Sequence, residues 1–283
     1  MAFTLTGFDG KVAVVSGAGR MRSIGRPIAL ALAQAGCDVV LTGTGRAPET
    51  WPADEQAAGW RDIESVADEI RALGRRALPV VTSVADPDSV DALVAQVIAE
   101  FGRVDFLVNN AGASRGGDRV PVTELAIETW QRIINTNLNG TFYMSRAFAQ
   151  QMSAQGEGGA IVNISSLAAR LLAPDSAAYA TSKIAINGLS TVMAGELGPK
   201  NIRVNVVAPG IIDTSRLDDV PRGPIWNDMV ATFIPLGRAG TGEDVANMVT
   251  FLCSAQGAWV TGQHIYLDGG HGATPRRPVP AQK

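Results

Sequence analysis

Histidine is nearly absent from this chain. Only His264 and His271 occur among 283 residues, both near the C-terminus, so most of the chain lacks the usual general base at neutral pH and a Ser-His-Asp hydrolase is disfavoured. Cysteine is equally scarce. Cys37 and Cys253 stand far apart, in no metal-ligand or redox spacing, which leaves disulfide scaffolds and metal sites unsupported and both thiols expected to pack as small apolar groups. Charged residues make up 18% of the chain, with a net charge of −3. No dense Lys/Arg cluster marks a nucleic-acid or anionic-lipid surface. No run approaches the roughly 18 apolar residues of a membrane span, and the N-terminus MAFTLTGFDGKVAVVSG has no basic region followed by an apolar core. The expectation is a soluble, cytoplasmic protein that acts on a small molecule, with no nucleic-acid or membrane partner.

What the chain has in quantity is glycine, 31 of 283 residues, or about 11% against a usual share of roughly 7%. The excess suggests tight turns and close backbone approaches. With 46% apolar residues there is material for a sizeable core. Short β-branched runs alternate with amphipathic stretches. Lys11 to Ser16, Asp38 to Thr42, Leu78 to Thr82, Val104 to Asn109, Ala160 to Ser165, Ile202 to Ala208 and His264 to Leu267 read as seven strands. Their nearly continuous apolar character fits strands covered on both faces. Between them, Pro27 to Ala35, Ile63 to Leu73, Ser89 to Phe101, Thr129 to Met152, Tyr179 to Leu197 and Glu243 to Leu252 read as helices, a rhythm that argues for a parallel sheet sandwiched by helices. Three segments break it: a long polar loop at 44–62 with Trp51 and Trp60, a Pro- and Gly-rich excursion at 213–240 that reads as a lid, and a Pro-rich tail at 271–283.

The first strand runs into Ser16-Gly17-Ala18-Gly19-Arg20-Met21-Arg22-Ser23-Ile24-Gly25 and then a helix. A glycine-rich turn between strand and helix lets backbone approach a pyrophosphate, whose charge meets amides at the helix N-terminus. A ribose-binding acid is expected about 20 residues on, at the end of the second strand, in NAD binders. Here that strand ends at Gly43 and no acid is present. Arg20 and Arg22 in the loop and Arg46 beyond the strand are guanidinium groups suited to a 2′-phosphate, which favours NADP(H) over NAD(H).

Tyr179 and Lys183 lie one helical turn apart on one face, with Ser166 thirteen residues before the tyrosine and Asn137 in the preceding helix-like segment. A phenol of reference pKa about 10 is too weak a base at neutral pH, but an adjacent ammonium favours its phenolate. With these residues in order, the sequence resembles the short-chain dehydrogenase/reductases with a Tyr-x-x-x-Lys motif, similar to 3-oxoacyl-(acyl carrier protein) reductase-like members. The resemblance spans about residues 8–270. It rests on the Gly17 to Gly25 loop, Asn109-Asn110-Ala111-Gly112, Asn137, Ser166, Tyr179 with Lys183, Pro209-Gly210-Ile211-Ile212-Asp213-Thr214 and the ending VTGQHIYLDGG.

The resemblance implies a single α/β domain over residues 1–270, a Rossmann-type, doubly wound, seven-stranded parallel sheet with helices on both faces. It implies Tyr179 as acid/base, Ser166 orienting the substrate oxygen, Lys183 lowering the Tyr179 pKa and holding the nicotinamide ribose, and Asn137 anchoring a water relay to Lys183. Hydride would pass between nicotinamide and a carbonyl or alcohol carbon. The cofactor would meet Gly17, Arg20, Ser23, Ile24, Gly25 and Arg46, then Ser83 and Val84 at the adenine, Asn110, Ala111 and Gly112 on the adenosine side, and Pro209, Gly210, Ile212 and Thr214 at the carboxamide. It implies a homotetramer or homodimer built on the Tyr179 helix and its predecessor. Three departures stand out. The glycine loop is two residues longer than the family's usual one, with Ser23 at the middle glycine as in enoyl reductases; Ser83-Val84 replaces the usual Asp-Val; and the 44–62 loop has no counterpart in the commonest members.

Substrate contacts are expected from Ser114 and Arg115, from Leu172 and Asp175, and from Trp226, Met229 and Phe233 in the lid, with ordinary loop packing as the other reading of each. An apolar lid suits a ketone of moderate size, and Arg115 leaves acidic substrates open. An imine or C=C reductase on the same fold, or a regulatory protein that binds cofactor without turnover, are the competing functions.

Overall fold

The computed structural model describes residues 4–273. Seven strands form one parallel sheet in the order β3-β2-β1-β4-β5-β6-β7: β1 Val12–Ser16, β2 Asp38–Gly43, β3 Ala77–Val81, β4 Phe106–Asn109, β5 Gly159–Ile164, β6 Ile202–Pro209 and β7 His264–Leu267. Every residue of β1 and β4 is buried, as the unbroken apolar runs require of strands covered on both sides. The connections are α1 Gly25–Ala35, α2 Ala53–Ala57, α3 Ile63–Ala72, α4 Pro87–Phe101, α5 Ile127–Ile134, α6 Gly140–Gln155, α7 Ala177–Leu197, α8 Pro224–Phe233 and α9 Gly242–Cys253.

Two cores result. One joins Val15, Ile28, Leu32, Leu41, Val249 and Leu252 beneath α1, α3 and α9. The other joins Val14, Leu93, Leu107, Phe148, Met152 and Ile161 beneath α4, α6 and α7. The strand order reverses direction between β1 and β4, and such a switch point opens a crevice at the carboxyl ends of the strands, where α/β folds bind ligands.

Several boundaries differ from expectation for local reasons. β4 begins at Phe106 rather than Val104, because Val104 N–H donates to Gln155 Oε1 at 2.9 Å while Asp105 turns its carboxylate to Lys11, Arg103 and the amide of Val12. α4 starts two residues early, with Pro87 in its first turn and the Asp86 side chain accepting from Asp88 N–H. The single helix expected over Thr129 to Met152 is two helices joined by a π-helical turn, Asn135–Asn139. The 44–62 segment is not a simple polar loop. It contains α2 and a 3₁₀ turn, Pro48–Thr50, and it buries Glu55, Trp60 and Asp62. The lid cluster of Trp226, Val230 and Ile234 forms its own small core. Of the Pro-rich tail, residues 274–283 lie outside the described residues.

Among the described residues no helix is long and apolar enough to cross a membrane. Nor does any cluster of His, Cys, Asp and Glu there have the makings of a metal site. Both cysteines are buried, and burial pushes the Cys37 thiol up and Cys253 up to about 12. On the surface, Phe142 of α6 and Ile184 and Val192 of α7 are exposed.

Candidate active site

The turn after β1 is built for close approach. Gly17 has φ +68, and a Cβ there would come 2.7 Å from the Ala111 Cα. A Cβ on Gly25 would come 2.6 Å from Asn110 Nδ2. Asn110 laces the two turns together, its side-chain amide donating to the carbonyls of Ser16 and Gly17 at 2.9 Å each. Ser23 replaces the middle glycine by serving as an internal brace, donating to Arg20 O at 2.9 Å and accepting from Arg26 N–H at 3.2 Å. Apart from the Arg26 amide that Ser23 engages, the first turn of α1 has no side-chain cap at Ile24 and no acid, so the helix end keeps its affinity for anions. The glycine cradle and the acid-free first turn of α1 fit a pyrophosphate.

Of the four residues expected to act together, Ser166, Tyr179 and Lys183 lie side by side, and Asn137 reaches their helix through Ser182. Ser166 follows β5, and its Oγ accepts from Ala168 N–H at 3.1 Å, which leaves the hydroxyl proton free to donate. Ser166 is also among the groups that lower the Tyr179 pKa. Lys183 Nζ donates to Ile164 O at 2.8 Å and lies 5.8 Å from the Tyr179 ring centroid. Asn137 sits in the π-helical turn, a geometry common at functional positions. Its Oδ1 accepts from Ala113 N–H at 2.8 Å and its Nδ2 donates to Ser182 Oγ at 2.9 Å, which ties the loop after β4 to the helix of Tyr179.

Two cations join this group that the sequence reading passed over. Arg119 Cζ lies 4.9 Å and Arg216 Cζ 5.2 Å from the Tyr179 ring centroid. Arg216 donates to Ala113 O at 2.6 Å, while Arg119 sits 3.6 Å from the buried carboxylate of Asp118. Their only signal in sequence is their place in the loops that follow the Asn-Asn-Ala-Gly and Pro-Gly turns. Burial pushes the Tyr179 phenol up; Lys183 first, then Arg216, Ser166 and Arg119 outweigh it and hold the phenol below its ordinary value. Burial, opposed by Tyr179, likewise lowers Lys183.

At the carboxamide end, a Cβ on Gly210 would come 2.8 Å from Asp268 Cβ, while Ile212 and Thr214 are buried. Pro209 closes β6. Ser215 N–H and Oγ both donate to Arg22 O at 3.0 Å, so the base of the lid is fastened to the glycine loop. At the adenine end, Ser83 N–H donates to Ser89 Oγ at 3.1 Å and Val84 packs against Gly140. Ala111 is half-buried and Gly112 exposed.

The guanidinium groups offered for a 2′-phosphate are not equivalent. Arg22 is held by Asp54 at 2.7 Å and by Asp218 at 2.6 Å. Arg46 Nη2 lies 3.6 Å from Glu55 Oε2 and 3.4 Å from Asp62 Oδ1. Burial and then Arg46 lower the pKa of the half-buried Arg20, with Glu55 and Asp62 opposing.

The substrate candidates divide. Ser114 is exposed beside the site, and Arg115 is paired to Asp219 at 2.9 Å, closing the loop after β4 against the lid. Leu172 and Asp175 are exposed. Trp226 is buried in the lid's core with Arg222 stacked 4.0 Å over its ring, which makes it a packing residue. Met229 and Phe233 line an open groove along α8, and Phe233 stacks on His271 at 5.3 Å.

Comparison with known proteins agrees with this architecture. The family model described as enoyl-(acyl carrier protein) reductase matches residues 17–272. A 2-dehydro-3-deoxy-D-gluconate 5-dehydrogenase of Escherichia coli is 35% identical over 95% of this chain and 97% of its own length. A 3-oxoacyl-[acyl-carrier-protein] reductase of Staphylococcus aureus is 38% identical over 92% of this chain and 97% of its own. Among solved structures, a 7α-hydroxysteroid dehydrogenase complexed with NADH and 7-oxo glycochenodeoxycholic acid superposes with a TM-score of 0.82 at 35% identity, covering 95% of this chain and 97% of that one.

Proposed function

The chain belongs to the short-chain dehydrogenase/reductase family, and from that premise we propose that it interconverts a carbonyl compound and the corresponding secondary alcohol with Tyr179 as the acid/base. When bound, a nicotinamide dinucleotide supplies or accepts the hydride. In the reducing direction Tyr179 gives its phenolic proton to the substrate oxygen, and in the oxidising direction its phenolate takes one back. Ser166 donates a hydrogen bond to that oxygen. Lys183 stabilises the phenolate and, with Tyr179, borders the nicotinamide ribose; Asn137 fixes the helix that carries both.

The observation that carries this reading is the convergence of Ser166, Lys183 and two guanidinium groups on one phenol. Such a concentration of positive charge favours proton abstraction near neutral pH, and a protein that only bound cofactor would have no use for it. Arg119 and Arg216 also favour a carbonyl substrate bearing a carboxylate. A C=C reduction is the second reading, supported by the description of the matching family model. Arg20 and Arg46 support NADP(H) by charge, and the carboxylates beside them support NAD(H). The exposed apolar residues of α6 and α7 support a homodimer or homotetramer.

A panel of ketones, keto acids, imines and enones, followed by nicotinamide absorbance with each dinucleotide, tests the reading. Turnover of ketones or keto acids is expected, and turnover confined to enones or imines would replace the carbonyl assignment.

A further inference from the structure

β2 ends at Gly43, so the strand carries no side chain where an acid would meet the adenosine ribose. That gap is filled from elsewhere in the chain. The 44–62 segment folds back and inserts the Asp62 carboxylate between the glycine loop and the end of β2. A Cβ on Gly43 would lie 3.8 Å from both carboxylate oxygens, and a Cβ on Gly19 would collide with Oδ1. Both glycines are therefore conditions for the carboxylate's position as much as for a nucleotide's approach.

The position is held against a conformational cost. Asp62 has φ +54 and ψ −130, a backbone region that is essentially glycine's, costing on the order of 1–3 kcal/mol for another residue. Its surroundings over-determine it. Trp60 Nε1 donates to Gly19 O at 2.6 Å, with Arg26 stacked 5.3 Å over the indole. Met21 N–H donates to Glu55 Oε1 at 2.8 Å, and Ile63 is buried directly after the strained residue. An aspartate kept in a glycine conformation by two anchors to the phosphate-binding loop is strain stored where a ligand binds.

The polar groups there are left open. Among the described residues the Asp62 carboxylate accepts no hydrogen bond; Arg46 pairs with it at 3.4 Å and Arg20 also acts on it electrostatically. Arg46 Nη1 and Nη2 and Glu55 Oε2 are buried without hydrogen-bond partners. Buried polar atoms left in this state need a ligand or water. The charges also discriminate between ligands. The Arg46 guanidinium already faces two carboxylates, so a 2′-phosphate would bring its negative charge against Asp62, whereas a 2′-hydroxyl would donate to it.

We propose that Asp62 binds the adenosine ribose hydroxyls and makes this protein select NAD(H) over NADP(H), with Arg46 as the residue that positions it. The proposal rests on the dinucleotide-binding reading of the glycine loop and reverses the preference that Arg20 and Arg46 suggest by charge alone.

Fluorescence titration of the purified protein with NADH and with NADPH, in the absence of substrate, tests it. The parent is expected to bind NADH at least about tenfold more tightly, the scale of one charge-assisted hydrogen bond. Asp62→Asn should abolish most of that ratio by weakening NADH and relieving the repulsion of NADPH. Asp62→Gly, which accepts the positive φ without strain, should lose the ratio while its melting temperature holds or rises, separating loss of the carboxylate from loss of the fold. A parent that prefers NADPH, or an Asp62→Gly protein that keeps the parent's ratio, overturns the assignment. A parent that binds neither nucleotide overturns the dinucleotide reading itself, and this assignment with it.

Discussion

The two ends of the cleft are built by different means. At the catalytic end, Tyr179 and Lys183 share one turn of a long helix, and hydrogen bonds between that helix and the end of β5 bring Ser166 to them, so regular elements build the group. At the adenosine end, Glu55, Trp60 and Asp62 come from a segment with little regular structure and reach the glycine loop by hydrogen bonds and packing across 34 to 41 residues of sequence. A site on rigid elements fixes the chemistry. On the proposal above, a site on an insertion would set which dinucleotide is taken without disturbing the phenol.

That separation can be broken at either end. The largest effect should come from Tyr179→Phe, which removes the proton carrier and should lower kcat by about 10²- to 10⁴-fold while leaving the NADH dissociation constant near that of the parent. Next, Arg216→Ala removes a cation that holds the phenol down. The Tyr179 pKa rises, so the pH–rate profile for alcohol oxidation, which needs phenolate, shifts to higher pH, and the rate at neutral pH falls. Reduction, which needs the protonated phenol, is spared in that respect. At the other end, Trp60→Phe loses the hydrogen bond to Gly19 O, worth about 1 kcal/mol, and should weaken dinucleotide binding about fivefold with kcat unchanged. A kcat that fell with it would show the two ends to be coupled. The smallest effect at the site should come from Thr241→Ala, which deletes the capping box of α9. It should reduce the stability of the fold by about 1 kcal/mol in denaturant titration and leave both ends of the cleft as they were.

The same contrast governs what could be read in the sequence. Buried parallel strands are continuous apolar runs, and Tyr179 and Lys183 are separated by a spacing that a helix turns into contact, so the sheet and the catalytic group were legible. Two short helical turns and a strained aspartate in the 44–62 segment leave no periodicity. Asp62 leaves no signal because an acid is expected at the end of β2, whereas the carboxylate that lies beside Gly43 comes nineteen positions later. Arg46, which the sequence offers to a 2′-phosphate, is engaged by carboxylates that only tertiary folding brings to it. The π-helical turn at Asn135–Asn139 was hidden for another reason: a single widened turn asks nothing different of its residues than an α-helix does. Trp226 looked like a substrate contact because a lid was expected to face the cleft, whereas the lid folds around that indole as its own core.

The chain has three tyrosines, so the central claim can be measured directly and without a substrate. Ultraviolet difference titration of tyrosinate absorbance in the parent and in Tyr179→Phe would follow the phenol itself. The parent should show an ionisation step below the ordinary tyrosine value of about 10, and the variant should lack it. Superimposable titrations of the two proteins below that pH would contradict Tyr179 as the group that carries the proton.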